Sequence, residues 1–291
     1  MWNFTRCKAC RSFSVVNGCS EGREFIHNLK QGYYKQISVL TGAGLSTNAG
    51  IPDYRSPDTG LYSILEKEYG MKSPTDIFQL SIFYRNPQLF YGYLKKINFD
   101  MFHPTLSHYF IGFLETKGIL CVNFTQNIDG LELRAGISRE KLVTAHGDVT
   151  RAHCPSCDKE YDIEELKRKA MNDQIMYCDT CPDVPIKPRI VFFGEMLPDE
   201  FHEKSSLLSE KSDCGLIIGT SLQVAPFNSL PILFPTITQL VVINNEPLDH
   251  IPRISASSLY YKGNCDSIVQ EIIKECEWEK DFNDFRASID S

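Results

Sequence analysis

No apolar run in the sequence approaches the ~20 residues that a membrane-spanning helix requires, and no stretch has the build of a secretory signal. The expectation is a chain without a membrane partner. A basic excess is lacking as well. The formal net charge is -7, which speaks against broad attraction to nucleic acid or anionic membrane and suits transient docking of lysine-rich segments. Neither an internal repeat nor a low-complexity tract interrupts the chain. Apolar residues make up 42% and charged residues 23% of 291 positions, the balance of a soluble globular protein with room for one large domain carrying an insertion. A secreted disulfide framework is also missing. Of the 11 cysteines, four fall into two spaced Cys-x-x-Cys pairs, which points to metal and a reducing compartment.

What is present begins with Gly42-Ala43-Gly44-Leu45-Ser46-Thr47-Asn48-Ala49-Gly50-Ile51-Pro52-Asp53-Tyr54-Arg55, directly after the apolar run Ile37–Thr41. Glycines at a strand's C-terminal end allow a tight turn and bring main-chain N–H groups up to a phosphate. The full G-x-G-x-x-G is absent, and so is the acid about twenty residues on that an ordinary dinucleotide fold uses. Further apolar runs at 119–125, 142–144, 189–193, 215–218 and 240–243 read as parallel-type strands. Each ends in small or polar residues, and such ends converge where ligands bind an open parallel sheet. Helices are predicted from Phe25, Ile26, Leu29 and Tyr33, and from Thr105 through Lys117-Gly118. The aromatic stretch 61–102 reads as short helices whose rings are core beside the cleft, and His103 and His108 read as structural.

Cys154-Pro-Ser-Cys157 and Cys178-Asp-Thr-Cys181 are separated by 20 residues. Two such knuckles predict one closed tetrahedral zinc site, structural because no ligand position stays open. It would fold residues 150–188, whose charges balance too closely for a nucleic-acid reader. Cys7 and Cys10 lack a second pair and read as free. His146, ahead of Gly147 at a strand end, has a side chain that titrates near neutrality and suits a general base.

Together these motifs resemble the sirtuins, the NAD-dependent protein-lysine deacylases, over roughly residues 24–275. The resemblance implies an α/β fold: a Rossmann-like parallel sheet with a smaller zinc-binding and helical domain. It implies NAD and one structural zinc ion as cofactors. Residues 1–22 are expected to be an extension, 23–276 the catalytic domain with its zinc module, and 277–291 a tail. It implies catalytic roles for His146 and Asn127, with acyl-lysine and NAD giving nicotinamide, O-acyl-ADP-ribose and free lysine. Cofactor contacts are implied for Ala43, Gly44, Thr47, Ile51, Asp53, Tyr54, Arg55, Gln126, Asn127, Ile128, Asp129 and His146. On the adenosine side they are implied for Gly219, Thr220, Ser221, Asn244, Asn245, Glu246 and, through its backbone, Cys265. Val191, Phe192, Phe193, Gly194, Glu195 and Val224 match the loops that hold an acetylated peptide as an extra strand. Tyr54 and Asp58 depart from the family's usual Phe and Gly.

Two rivals stand beside deacetylation: transfer of ADP-ribose to protein, and a non-catalytic NAD-sensing scaffold. No arginine occurs between Arg55 and Arg85, so acetyl and longer aliphatic chains are expected to be accepted and succinyl to be poor. Cytoplasm or nucleus is the expected location, with the mitochondrion an alternative suggested by Arg6, Lys8 and Arg11. Asp266 is expected to cap a closing helix. Trp278, Phe282, Phe285 and Ile289 then form a second apolar stripe, read as docking on its own domain or, more sharply, as covering the peptide groove or a neighbouring subunit.

Overall fold

The computed structural model describes residues 20–51, 74–96 and 101–290. The N-terminal arm up to residue 19, with Cys7 and Cys10, lies outside them, as do Asp53, Tyr54, Arg55, Asp58 and the apolar stretch 61–65. Strands β1 (Ile37–Thr41), β2 (Leu120–Thr125), β3 (Leu142–Thr144), β4 (Gly147–His153), β5 (Glu160–Tyr161), β6 (Lys187–Ile190), β7 (Cys214–Ile218), β8 (Gln239–Asn244) and β9 (Ser258–Lys262) follow in chain order. Every residue of β1, β2 and β7 is buried, because helices cover both faces of the sheet they build. That sheet has the order β3-β2-β1-β7-β8-β9 with all pairs parallel. The chain runs outward from β1 to β3, returns to β7 beside β1, and runs outward again to β9. The reversal between β1 and β7 is the switch point where a crevice opens above the strand ends.

One face of this sheet packs Val39, Leu216 and Val241 against the helices Ser20–Lys30, Leu106–Thr116 and Cys265–Glu275. The other packs Leu40, Phe124 and Val242 against Phe201, Phe227 and Ile254. Alternate residues of one strand thus serve two cores. Thr105 caps the helix Leu106–Thr116 in a capping box with His108.

A second sheet, β5-β4-β6, is antiparallel. Its core is shared with the helices Leu80–Arg85 and Pro87–Lys96, where the ring centroid of Phe192 lies 4.9 Å from Phe90 and 5.4 Å from Phe83. The zinc-region chain therefore borrows its apolar partners from residues 77–93, where Phe78, Phe83, Phe90, Tyr91 and Tyr93 are core as expected while Tyr84 is 40% exposed.

Three expectations are corrected, and one strand is added. Residues 189–193 do not join the parallel sheet: β6 pairs antiparallel with β4, since a short apolar run carries no sign of strand direction. Strand β9 went unread because it is an edge strand with alternating burial and polar ends. Tyr33 leaves the first helix, which ends at Lys30, and is 66% exposed. The closing helix is capped by Asn264, whose side chain accepts from the Ser267 N–H at 3.2 Å. Asp266 instead accepts from the Ser107 N–H at 2.9 Å and its hydroxyl at 2.6 Å, tying down the start of the helix Leu106–Thr116.

The last helix, Glu279–Asp290, packs into the large core. Phe113 meets Trp278, Phe282 and Phe285 at centroid distances of 5.7, 5.5 and 5.9 Å, and Lys117 lies 4.7 Å over the Trp278 ring. Each buried aromatic contributes about 2–3 kcal/mol, largely offset by the entropy of ordering the segment. Truncation after Cys276 is therefore expected to lower the melting temperature by about 5 °C while leaving peptide KM unchanged. A lower KM at unchanged melting temperature would restore the idea of a helix covering the groove.

Candidate active site

The floor of the crevice is made where two turns touch. The Gly44 N–H donates to the Gly219 carbonyl at 2.7 Å. A Cβ on Gly44 would lie 2.8 Å from that oxygen, and one on Gly219, at φ +62°, would lie 2.4 Å from the Leu45 nitrogen. Only glycine at both positions lets the turns after β1 and β7 close together. Above them lies a cavity of about 940 Å³, lined by Ala43, Gly44, Thr47, Gln126, Asn127, Ile128, His146, Gly219, Thr220, Ser221, Asn244, Asn245 and Glu246. The same cavity continues along Val191–Glu195 and Val224. Its size suits a ligand larger than a mononucleotide. The tight glycine floor and the Glu246 carboxylate fit the diphosphate and ribose parts of a dinucleotide.

Behind the wall, polar groups hold Asn127 in place. Its amide Nδ2 donates to the Gly42 carbonyl at 3.1 Å and to Ser46 Oγ at 3.2 Å. Ser46 in turn donates to Asp129 Oδ2 at 2.7 Å, and Asp129 Oδ1 accepts from the Leu131 N–H at 3.0 Å. His108 Nδ1 accepts from the Thr105 N–H at 3.1 Å, so its proton sits on Nε2, directed at Ser46 Oγ 3.4 Å away. Burial holds His108 down at about 4 and, with the neighbouring Asp129 charge, pushes Glu132 up to about 8. His108, Asp129 and Glu132 thus form a buried polar support behind the wall. On the opposite wall Thr220 Oγ1 donates to Gln126 Oε1 at 2.6 Å. Asn244 Nδ2 donates to the carbonyls of Thr220 and Glu246 at 3.2 and 2.8 Å, shaping the loop that presents Glu246.

His146 sits at the join of the two sheets. Its Nδ1 lies 3.0 Å from the Gln126 carbonyl, which can only accept, so Nδ1 carries the proton and Nε2 keeps the basic lone pair. Burial, with Phe227 at a centroid distance of 6.4 Å, lowers its pKa from the ordinary imidazole value, partly opposed by the Gln126 contact. Its own carbonyl accepts from the Val191 N–H at 2.7 Å, which docks the wall 191–195 beside the ring. Gly147, at φ +72°, turns the chain into β4, and a Cβ there would meet the Arg189 carbonyl at 1.8 Å. This arrangement can take a proton at Nε2 from a hydroxyl placed in the cavity.

The metal centre stands apart in the small domain. The sulfurs of Cys154, Cys157, Cys178 and Cys181 all lie within 4.8 Å of one another. The Cys157–Cys178 separation is 3.8 Å, the edge of about 3.8 Å expected for a tetrahedron with ~2.3 Å metal–sulfur bonds. Tyr161 Oη and the N–H groups of Thr180 and Cys181 point at Cys178 Sγ from 3.1, 3.3 and 3.2 Å, which favours its thiolate. The donor set fits one zinc ion with no position left for substrate.

Three implied cofactor residues lie off the cavity wall. Asp129 is 8% exposed and stands behind Ser46. Ile51 packs against the small-domain core. Cys265 is buried at the first turn of its helix, with Sγ 3.8 Å from the Ile243 carbonyl. Ser46 and, behind the substrate wall, Lys187, whose Nζ lies 3.1 Å from Glu195 Oε2, gain their places only from the structure. Ser46 lies within the glycine loop, where a hydroxyl invites hydrogen bonding; Lys187 gives no signal, because a lysine beside proline reads as surface.

Residues 42–226 match the model of the Sir2 family. The chain is 44% identical over 260 residues to NAD-dependent deacetylase sir2A of Dictyostelium discoideum, covering 86% of this chain and 50% of that one. It is 39% identical over 250 residues to NAD-dependent protein deacetylase hst2 of Schizosaccharomyces pombe, covering 86% and 74%. It is 44% identical over 229 residues to NAD-dependent protein deacetylase sirtuin-2 of Danio rerio, covering 75% and 60%. The chain thus spans between half and three quarters of the length of these relatives.

Proposed function

The chain belongs to the Sir2 family, and we propose that it removes acetyl groups from protein lysine side chains at the expense of NAD. The observation that carries this reading is His146. Its proton is fixed on Nδ1 and its basic Nε2 belongs to a cavity that joins a glycine floor to an apolar substrate wall. Bound NAD supplies the chemistry of a ribosyl bond to a departing nicotinamide, next to a ribose hydroxyl. His146 accepts the proton of that hydroxyl and is held to the task by the Gln126 carbonyl. Asn127, fixed through Gly42 and Ser46, keeps its amide plane on the same wall. Thr47 and the Gly44–Gly219 floor orient the diphosphate end, and Glu246 accepts from sugar hydroxyls.

The peptide lies between Val191–Glu195 and Val224 as an added strand. Phe193 already pairs with the other side: its N–H donates to the Phe78 carbonyl at 2.8 Å and its carbonyl accepts from the Leu80 N–H at 3.2 Å. Phe193 and Met196 stay 47% and 85% exposed, an apolar surface that suits an acyl-lysine stem. Main-chain pairing tolerates many sequences, and the net charge of -7 favours basic ones. The metal-bound thiols fit the reducing conditions of cytoplasm or nucleus.

Incubation of an acetyl-lysine peptide with NAD, read by mass spectrometry, is expected to give nicotinamide and deacetylated peptide in equal amounts, with a succinyl peptide turned over more slowly. Transfer of mass to the protein without deacetylation would support ADP-ribosyl transfer instead. NAD binding without nicotinamide release would support a sensing role.

A further inference from the structure

We infer that Lys187 is a positioning residue for the proposed deacetylation, holding the substrate wall Val191–Glu195 in its binding shape through a buried ion pair with Glu195. The inference rests on the deacetylase reading and names a residue with no place on the cavity wall. Lys187 is 1% exposed. An ammonium has three protons and no acceptor, and each of them has a partner here. Nζ lies 3.1 Å from Glu195 Oε2, 2.7 Å from the Ile190 carbonyl and 3.2 Å from His153 Nε2. It also sits 4.8 Å over the Phe192 ring.

Two of these partners shape the wall itself. Glu195 Oε2 accepts from the Phe192 N–H at 2.6 Å, and the Glu195 N–H donates to the Phe192 carbonyl at 2.9 Å. The carboxylate therefore clamps a turn over Phe192–Glu195, with Gly194 at φ +103°. That turn buries Phe192 in the small core and lifts Phe193 toward the cleft. Without the ammonium, the carboxylate would face a largely apolar surrounding and turn outward to water, opening the clamp.

The third partner runs to the metal knuckle. Since Lys187 can only donate, His153 Nε2 must accept, so its Nδ1 carries the proton and donates to Asp158 Oδ1 at 2.9 Å. Asp158 directly follows Cys157 and is also paired with Arg189 at 3.0 Å. A continuous series of hydrogen bonds thus links a zinc knuckle, Asp158, His153, Lys187 and Glu195 to the main chain of the substrate wall. A solvent-facing lysine would do none of this.

The test compares Lys187→Met, Lys187→Arg and Glu195→Gln with the wild type by steady-state kinetics, varying acetyl-peptide and NAD separately, alongside melting temperature. Lys187→Met is expected to raise peptide KM by about tenfold, the scale of a lost charged hydrogen bond, with kcat and NAD KM within about twofold. Lys187→Arg, which restores a charged donor for the carboxylate, is expected to recover part of the loss. Should Lys187→Met fail to fold, Glu195→Gln decides, because it keeps an acceptor for the Phe192 N–H while removing the ion pair. Its peptide KM is expected to rise in the same direction. A peptide KM within twofold of wild type in Lys187→Met, or in Glu195→Gln if that variant decides, overturns the inference, even if melting temperature falls. A wild type that does not deacetylate the peptide at all overturns the deacetylase reading first, a result these variants cannot mimic.

Discussion

Replacement of His146 by alanine is expected to lower acetyl-peptide turnover by about 10²–10⁴-fold, the range for loss of a positioned general base. NAD binding should survive. The floor of the cavity is made by Gly44, Gly219 and Thr47, and none of their contacts passes through the imidazole. Isothermal titration with NAD and a peptide assay on the same preparation separate the two quantities. A loss of only twofold in turnover would remove His146 from the mechanism.

The pH profile of the wild type carries the same claim with its sign fixed. Burial lowers the His146 pKa, so the imidazole is neutral, and able to accept a proton, across the neutral range. Base function is lost only as pH falls through that lowered value. The acid limb of kcat should therefore lie below the ordinary histidine value of about 6.5, with a plateau through neutrality. An acid limb centred above that value would contradict the buried geometry.

Much of this site is legible in the sequence because its residues sit at the ends of strands that are apolar throughout. Ile37–Thr41, Leu120–Thr125 and Cys214–Ile218 are buried on both faces, and such runs announce themselves without alternation. The loops at their C-terminal ends had to converge, which is why Gly44, Asn127, His146 and Gly219 could be grouped from spacing and family likeness together. The direction of β6 was not legible. Its residues read like any short buried strand, and only the turn at Gly147 decides that they pair antiparallel with β4. The polar support behind the wall was hidden for another reason. Ser46, His108 and Asp129 are brought together from three separate segments, and no local pattern records a contact across 62 or 83 positions. The capping exchange at Asp266 is of the same kind: its carboxylate serves a helix 159 residues away in sequence.

Replacing Cys178 by serine is expected to abolish deacetylation through folding rather than chemistry. The four sulfurs leave no coordination position open, so the ion takes no part in the reaction, and its binding energy is folding energy. For isolated zinc modules that energy is roughly 10–16 kcal/mol, comparable to the whole stability of a domain. Residues 154–181 cannot replace it. Their buried side chains, Leu166, Ala170 and Met176 among them, pack against Phe78, Phe83 and Phe90 from another part of the chain. Phe192 belongs to that same core, so its loosening reaches the substrate wall, both directly and through Lys187 and Glu195. The six-stranded sheet has its own two cores and should persist. Elemental analysis of the wild type is expected to find one zinc per chain, and of Cys178→Ser far less. Circular dichroism should show partial rather than complete loss of structure, with NAD affinity falling much less than peptide turnover. Wild type purified without tightly bound metal, or full turnover in the serine variant, would refute the structural role of these cysteines.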